Sequence, residues 1–416
     1  MPANPASSLP RYGKQRQEMT GRYRARNPAL VAALAFTDLL GSIHPRRAGS
    51  LPVDRPIRVL ICNWAHLGDV VAILPLLQLL SDHPRIGKIG VLVGSWSACI
   101  VSDLPFIDKA HYLDHFLLDR AENTRFEKIR GYLARQRAVV RELRDYGYDA
   151  SLDLFPVVPS THRLTWKARI PVRIGFYSSG LGTYLTHPLK WPREDEYILT
   201  KQLQLLRPIL GTDPPAALPA VYPSFMPSNL ADRSLTADRR YVLVHMGVGD
   251  YRSWPLANWL ELGRALKQRG RDIIFTGTKG REAEMAADAA KQLGAQCVAG
   301  NLSWHEFVTC VANAAVVISV DTVTGHLAAC FGISSIILLS GRWGNRFFRP
   351  NNINAVTLTH PVGCAPCYRS TGCAAMACIQ YVSLEEVLSA FDEITANIQH
   401  GKIPIPSESV RSAEVR

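Results

Sequence analysis

Residues 314–331 read AVVISVDTVTGHLAACFG: an apolar, β-branched run that stops on Asp321 and Thr322 and restarts at once among small residues that include His326. A strand that hands over to a helix this abruptly leaves the first helical N–H groups without intrahelical partners, and such groups hold phosphate. The backbone around Thr322, Val323 and Thr324 is thus a candidate phosphate cradle. A carboxylate repels phosphate, so Asp321 suits a neutral hydroxyl, such as one on a sugar. In the plainer reading Asp321 only caps the helix and His326 is a packing residue.

Two further stretches repeat this logic. NWAHLGDVVAILPLLQLL, residues 63–80, ends a strand, offers Gly68 for a tight turn and sets Asp69 at the start of an apolar helix. HMGVGDYRSWPLANWLEL, residues 245–262, supplies Gly247 and Gly249 for close backbone approach and adds Arg252. An arginine at a glycine-rich strand end is a natural partner for a diphosphate, or else a plain surface cation. A fourth group is Cys364, Cys367, Cys373 and Cys378, spaced C-x2-C-x5-C-x4-C. In a reducing compartment such a cluster suits structural zinc or iron, the alternative being unliganded thiols. The remaining cysteines lie scattered in apolar stretches and read as small core residues.

The elements that must position these residues follow from periodicity. PIRVLICNW, VVAILPLLQLLSDH and KIGVLVGS read strand, helix, strand, and RRYVLVHMG, RDIIFTG, AVVISV and SSIILLS repeat the alternation later. The implied class is α/β, with helix-covered parallel sheets. Residues 211–237 are rich in Pro and Ala and read as a linker between an N-terminal domain at 55–210 and a C-terminal domain at 238–385. A basic extension occupies 1–54, with a short apolar helix at about 28–40 carrying Leu30, Leu34 and Leu39 near one face, and a C-terminal helix followed by an expected disordered tail occupies 386–416. Ligand is expected at the carboxyl ends of the strands, in the crevice between the domains.

Composition narrows the function classes. The 416 residues are 47% hydrophobic and 20% charged, as in a protein with sizeable cores, and no apolar run is long enough to span a bilayer. PALVAALAFTDLLGSI is broken by Asp38 and Gly41 and is neither a span nor a signal peptide, so the expected location is cytoplasmic. The net charge is +12, and residues 1–50 hold eight Arg and Lys against Glu18 and Asp38. A second basic stretch, RFEKIRGYLARQRAVVRELR, spans 125–144. No zinc-finger, helix-turn-helix or RNA-binding signature accompanies the charge, which leaves solvated helix faces or peripheral contact with an anionic membrane or glycolipid, and no nucleic acid.

In order and spacing, LGDVVAILPLL, DYGYDASLDL, ARIPVRIGF, WPLANWLEL, VDTVTGHLAACFG and the CAPC cluster resemble glycosyltransferase family 9, the heptosyltransferases of lipopolysaccharide synthesis, over about residues 55–390. The resemblance implies a GT-B fold, two Rossmann-like domains facing each other across a ligand cleft. It implies inverting transfer of heptose or a related sugar from a nucleotide diphosphate, ADP-heptose above all, to a hydroxyl of a lipopolysaccharide core or other glycan, without a metal or cofactor at the chemical step. Carried onto this chain, Asp69 is the general base and Asp321 holds donor-sugar hydroxyls. The N–H groups around Thr322, Val323 and Thr324 bind the diphosphate, Arg252 stands where the family commonly has Lys, and His326 supports the turn. A related branch, the autotransporter heptosyltransferases, carries a metal-bound four-Cys knuckle, which brings protein acceptors into view. The chain departs from the pattern at Val323, where the family has Gly, at Gly325, where Ser is common, and at Gly247 and Val248, where hydroxyls are frequent. A β-branched residue resists positive φ, so these departures also open the reading of a non-catalytic nucleotide-sugar-binding relative.

Overall fold

The computed structural model describes residues 23, 28–43, 49–102, 104–155, 160–191, 197–215, 218, 241–247, 253–342, 349–352, 354–367, 373 and 375–399. They form two compact units, one within Met19–Phe225 and one within Met226–Arg416. The first unit contains β1 Ile57–Cys62, β2 Ile86–Val93, β3 Lys109–Tyr112, β4 Ala150–Asp153, β5 Val172–Phe176 and β6 His187–Leu189. The second contains β7 Tyr241–His245, β8 Asp272–Thr276, β9 Gln296–Cys297, β10 Val316–Val320, β11 Ser334–Leu338 and β12 Ala355–Leu358. Their principal helices, in chain order, are α1 Pro28–Ser42, α2 Leu67–Ala72, α3 Leu74–Asp82, α4 Arg125–Tyr146, α5 Ser160–Lys167, α6 Leu256–Gln268, α7 Arg281–Leu293, α8 Trp304–Ala312, α9 Val323–Cys330 and α10 Leu384–Gln399.

Every strand pairs parallel with its neighbours, in the orders β3-β2-β1-β4-β5-β6 and β12-β11-β10-β7-β8-β9. Counted from each unit's own first strand, the two orders are the same, and it is the doubly wound order of a Rossmann unit. The chain thus has the α/β, GT-B composition of two Rossmann-like units. In such a sheet the crossovers diverge between the first and fourth strands, which opens a ligand site at their carboxyl ends. The strands are continuous apolar runs because helices cover both faces. β10, for example, is buried at all five positions, VVISV.

Each core ties its unit's site-bearing turns to distant segments. In the second unit Trp254 and Trp259 meet edge to face with centroids 5.1 Å apart, and the Trp254 indole N–H donates to Val382 O at 2.8 Å. Val387, Ala390, Phe391 and Ile394 of α10 bury in the same cluster, so the C-terminal helix is part of this core. Residues 402–416, expected from the sequence to be a disordered tail, lie outside the described residues.

Helix α1 packs on the first unit through only part of the face its apolar pattern suggests. Leu34 lies against Gly180, and Gly41 is crowded by Thr183 and Tyr184. The Tyr23 hydroxyl donates to Asp38 Oδ2 at 2.8 Å, which lets a carboxylate sit on the buried side. Leu39 points outward, together with Phe36 and Ile43. The inward set is therefore Leu34, Asp38 and Gly41, and the side chain of Leu30 lies outside the described residues.

At Gly90 of β2 an added Cβ would sit 1.7 Å from the Tyr148 hydroxyl, which is held 2.8 Å from His111 Nε2. Burial pushes the Tyr148 hydroxyl up and His111 down in pKa, so the pair is a neutral hydrogen bond inside the core. Gly90→Ala is expected to lower unfolding stability by about 1–3 kcal/mol, the usual cost of overpacking, in urea titrations read by circular dichroism. A change within about 0.5 kcal/mol would contradict this packing.

Candidate active site

In the first unit the critical turn follows β1. The buried Asn63 accepts from Ala65 N–H at 3.1 Å and donates to Asp69 O at 3.3 Å, folding the chain sharply into α2. His66, with φ −80° and ψ 175°, is the N-cap of that helix, and Asp69 Oδ2 accepts the His66 N–H at 3.2 Å. Asp69 is therefore the third residue of the helix and not its cap, and Gly68 lies inside the helix rather than forming a separate turn. The half-buried carboxylate sits where the helix dipole favours the ionised form, the form required of a base.

Beside it in the sheet, Asp153 ends β4 in register with Cys62. Its Oδ2 lies 3.0 Å from His162 Nε2 and also accepts the Thr161 hydroxyl, while Oδ1 accepts Phe155 N–H at 3.1 Å. This buried cluster at the β1/β4 divergence is absent from the sequence expectations. Its signal is a carboxylate at a strand end, in DASLDLFP, followed by THR in the next helix.

The second unit's counterpart is the β7/β10 divergence. β7 runs into Met246 and Gly247, whose φ of +77° requires glycine, and a Cβ there would meet Val320 Cγ2 at 2.7 Å. Val248, Gly249 and Arg252 lie outside the described residues, so the expectations for Gly249 and Arg252 do too. β10 ends on the half-buried Asp321, and the N-cap of α9 is Thr322, extended at φ −144° and ψ 176°. Asp321 thus stands one residue outside the cap.

The start of α9 carries no side-chain cap. The caps of α4 and α8, Thr124 and Ser303, each accept an N–H of the first turn through the side-chain hydroxyl, whereas Thr322 makes no such bond. The Thr322 and Thr324 hydroxyl oxygens are buried with no hydrogen-bond partner among the described residues. Buried polar groups are nearly always satisfied, so an uncapped helix start flanked by two orphaned hydroxyls points to a ligand.

Val323 and Gly325 do not carry the conformational demands their identities suggest. Val323 is the first residue of α9 and is not among the positive-φ residues, so its β-branch meets no backbone strain. Gly325 is helical as well; a Cβ there would meet Ile337 Cδ1 at 2.7 Å and Pro350 Cγ at 3.4 Å, so this glycine serves close packing of α9 on β11. His326 is buried, and desolvation pushes its pKa down to about 4, which leaves it a neutral imidazole under the turn.

A second polar centre at this edge is also missing from the sequence expectations. His245, the last residue of β7, places Nε2 3.2 Å from Glu282 Oε1. Glu282 Oε2 accepts Thr278 N–H at 2.7 Å and the Thr278 hydroxyl as well. Burial alone would raise the Glu282 pKa, but the hydrogen bond and charge of His245, aided by Thr278, outweigh it and hold the carboxyl at about 2. The visible signal is GTKGRE directly after a strand.

The four cysteines share one neighbourhood without closing into a ligand set. The Gly341 N–H engages Cys378, whose pKa burial raises, and Cys367, Cys373 and Cys364 lie near enough to raise it further. Cys373 Sγ accepts Met376 N–H at 3.3 Å. Among the described residues no group of three or more His, Cys, Asp or Glu is arranged to hold a metal ion. The zinc or iron site expected at Cys364, Cys367, Cys373 and Cys378 is therefore not formed among the described residues.

The sequence profile of glycosyltransferase family 9 (heptosyltransferase) matches residues 136–376, more than half of the chain. The chain belongs to this family. The match includes β10 and α9, whereas Asp69 precedes it. Lipopolysaccharide heptosyltransferase 1 of Pseudomonas aeruginosa is 29% identical over 130 residues, 31% of this chain and 36% of that protein, so the chain matches about a third of that relative's length. Among solved structures, a glycosyl transferase family 9 protein of Veillonella parvula aligns with a TM-score of 0.66 at 17% identity, over 84% of this chain and all of that one. The E. coli heptosyltransferase WaaC with ADP aligns at 0.62 and 19%, over 81% of this chain and all of that one. At such identities the likeness shows the family 9 fold and leaves donor and acceptor to chemistry.

The Glu282 carboxylate yields a pH prediction. A carboxyl held at about 2 against its ordinary 4.5 contributes stability that is fully present above 4.5 and lost as the pH falls through about 2. The stability difference between the protein and Glu282→Gln, from urea titrations at several pH values, is expected to shrink by about 3 kcal/mol across that window. A difference that stays constant from pH 6 to about 2 would show that the carboxylate is not held by His245 and Thr278.

Proposed function

We propose that the protein is an inverting glycosyltransferase that moves heptose from ADP-heptose to a hydroxyl of a lipopolysaccharide core or related glycan. The observation that carries this reading is the uncapped start of α9, with the Thr322 and Thr324 hydroxyls buried and unpartnered at the strand divergence. The N–H groups around Thr322, Val323 and Thr324 take the diphosphate, and Asp321, outside the cap, takes hydroxyls of the donor sugar. Neutral His326 supports the turn without adding a charge that would hold the leaving group back.

Asp69 is the base. Its carboxylate takes the proton of the acceptor hydroxyl while that oxygen bonds to the anomeric carbon from the face opposite the leaving group. The bond from that carbon to the diphosphate oxygen breaks, and ADP departs with the electron pair, stabilised by the helix N–H groups. Capping of His66 N–H fixes the carboxylate's position, and the helix start keeps it ionised. A merely binding relative would need no such base, and Val323 gives no reason to prefer one, since its backbone is unstrained. A protein acceptor was suggested by the four-Cys knuckle, which the described residues do not close. The proposal includes a cytoplasmic site of action at the inner leaflet, where a lipid-linked acceptor is presented; the basic arm at 11–26 lies, apart from Tyr23, outside the described residues.

Asp69→Asn is expected to slow ADP release from ADP-heptose in the presence of core oligosaccharide by about 100-fold or more, with ADP affinity in calorimetry nearly unchanged. Equal turnover in the two proteins would remove Asp69 as the base, and failure of the wild type to bind ADP-heptose would remove the donor.

A further inference from the structure

Helix α4 presents an outer stripe formed by Phe126, Arg130, Leu133, Arg137, Arg141 and Arg144. The spacings of three and four residues set all six within one narrow face of the helix. The four arginines are exposed, and Phe126 and Leu133 are 74% and 57% exposed. Of the helix's three carboxylates, Glu142 lies well round the helix, paired with Arg135 at 2.8 Å, Glu127 is engaged by the Thr124 cap, and Asp145 flanks the stripe only at its carboxyl-terminal end. The opposite side buries Tyr132, Val139 and Leu143 in the first unit's core, so the stripe is held rigid.

The carboxyl-terminal half of the stripe borders a groove of about 200 Å³ lined by Gln136, Arg137, Val140, Arg141, Arg144 and Lys167. Arg144 donates to Lys167 O at 2.8 Å, which fixes α5 against α4 there. The groove's charged lining is entirely cationic. Arg130, Arg137 and Arg141 have no acidic partner among the described residues. Burial, and after it the neighbouring charges of Arg163 and Arg137, lower the Lys167 pKa.

We infer that the α4 stripe docks the protein on an anionic phospholipid surface, with Phe126 and Leu133 entering the interface and the arginines, with Lys167, receiving lipid phosphates. Charge complementarity sets the sign of the surface. The two large apolar side chains interleaved with the arginines suit the boundary between headgroups and acyl chains. A helix of 22 residues is about 33 Å long, enough for the stripe to engage several headgroups at once. The inference does not depend on the sugar-transfer reading.

The test is co-sedimentation of the full-length protein with phosphatidylcholine vesicles, with and without phosphatidylglycerol, at low and high salt. The wild type should bind only the anionic vesicles and be released by salt. The triple variant Arg130→Gln, Arg137→Gln, Arg141→Gln should bind roughly tenfold or more weaker. Phe126→Ala with Leu133→Ala should weaken binding to the anionic vesicles at low salt. Both variants alter exposed side chains, so unchanged melting temperatures and unchanged turnover of a soluble acceptor separate this result from a failure of the catalytic proposal. Wild-type binding equal to that of the triple variant, equal binding to neutral vesicles, or no binding to anionic vesicles would overturn the inference, the first assigning any membrane contact to another segment.

Discussion

The handover from β10 to α9 takes two residues, Asp321 and Thr322, and much of the second unit is arranged around that constraint. So short a connection leaves no room for a loop to satisfy the first helical N–H groups, and Thr322 does not cap them with its side chain. The neighbouring chain accommodates the closeness at two glycines. Gly247 takes a left-handed conformation where Val320 would meet a side chain, and Gly325 lets α9 lie directly on Ile337 of β11. His326, beneath the turn, is desolvated enough to stay neutral. The result is a helix start with its positive dipole end at the strand divergence, packed on small and apolar side chains.

The two sheets place comparable features at comparable points. Each unit has a sharp turn after its first strand and a buried histidine–carboxylate pair near the strand ends: His162 with Asp153 in the first unit, His245 with Glu282 in the second. Both pairs are shielded from water and completed by a threonine, Thr161 or Thr278. Removing one partner would leave a buried polar group unsatisfied, so these pairs fix the geometry of the strand ends more strongly than surface pairs could. They also explain why polar residues are tolerated at a parallel sheet's buried edge.

Much of this was legible in the sequence because it rests on local rules. The alternation of β-branched runs and helical periods gives parallel sheets, and the abrupt change at Asp321 marks α9. Other features were hidden because they depend on partners far along the chain. Asp69 looks like a cap until His66 is seen to hold that position. Gly325 looks like a flexible residue until Ile337 is seen to press on it. The inward face of α1 includes Asp38 because Tyr23 supplies a hydroxyl, and hydropathy has no knowledge of that bond. The Cys spacing suggests a metal, but spacing does not fix the directions of the sulfurs. The stripe on α4 lay within the basic run at 125–144, yet the alignment of its arginines with Phe126 and Leu133 emerges only once the helix phase is fixed by its buried side.

The central claim is that the first N–H groups of α9 hold the donor's diphosphate, and one substitution isolates it. Proline at the first position of a helix removes a single N–H and keeps helical φ, and Thr322 before it is already extended, as a residue preceding proline must be. Calorimetric titration of Val323→Pro with ADP measures that one donor. An affinity about tenfold or more below wild type, with an unchanged melting temperature, is the predicted result, since a hydrogen bond to a charged group contributes about 1.5–3 kcal/mol. Wild-type ADP affinity in the folded variant would contradict it.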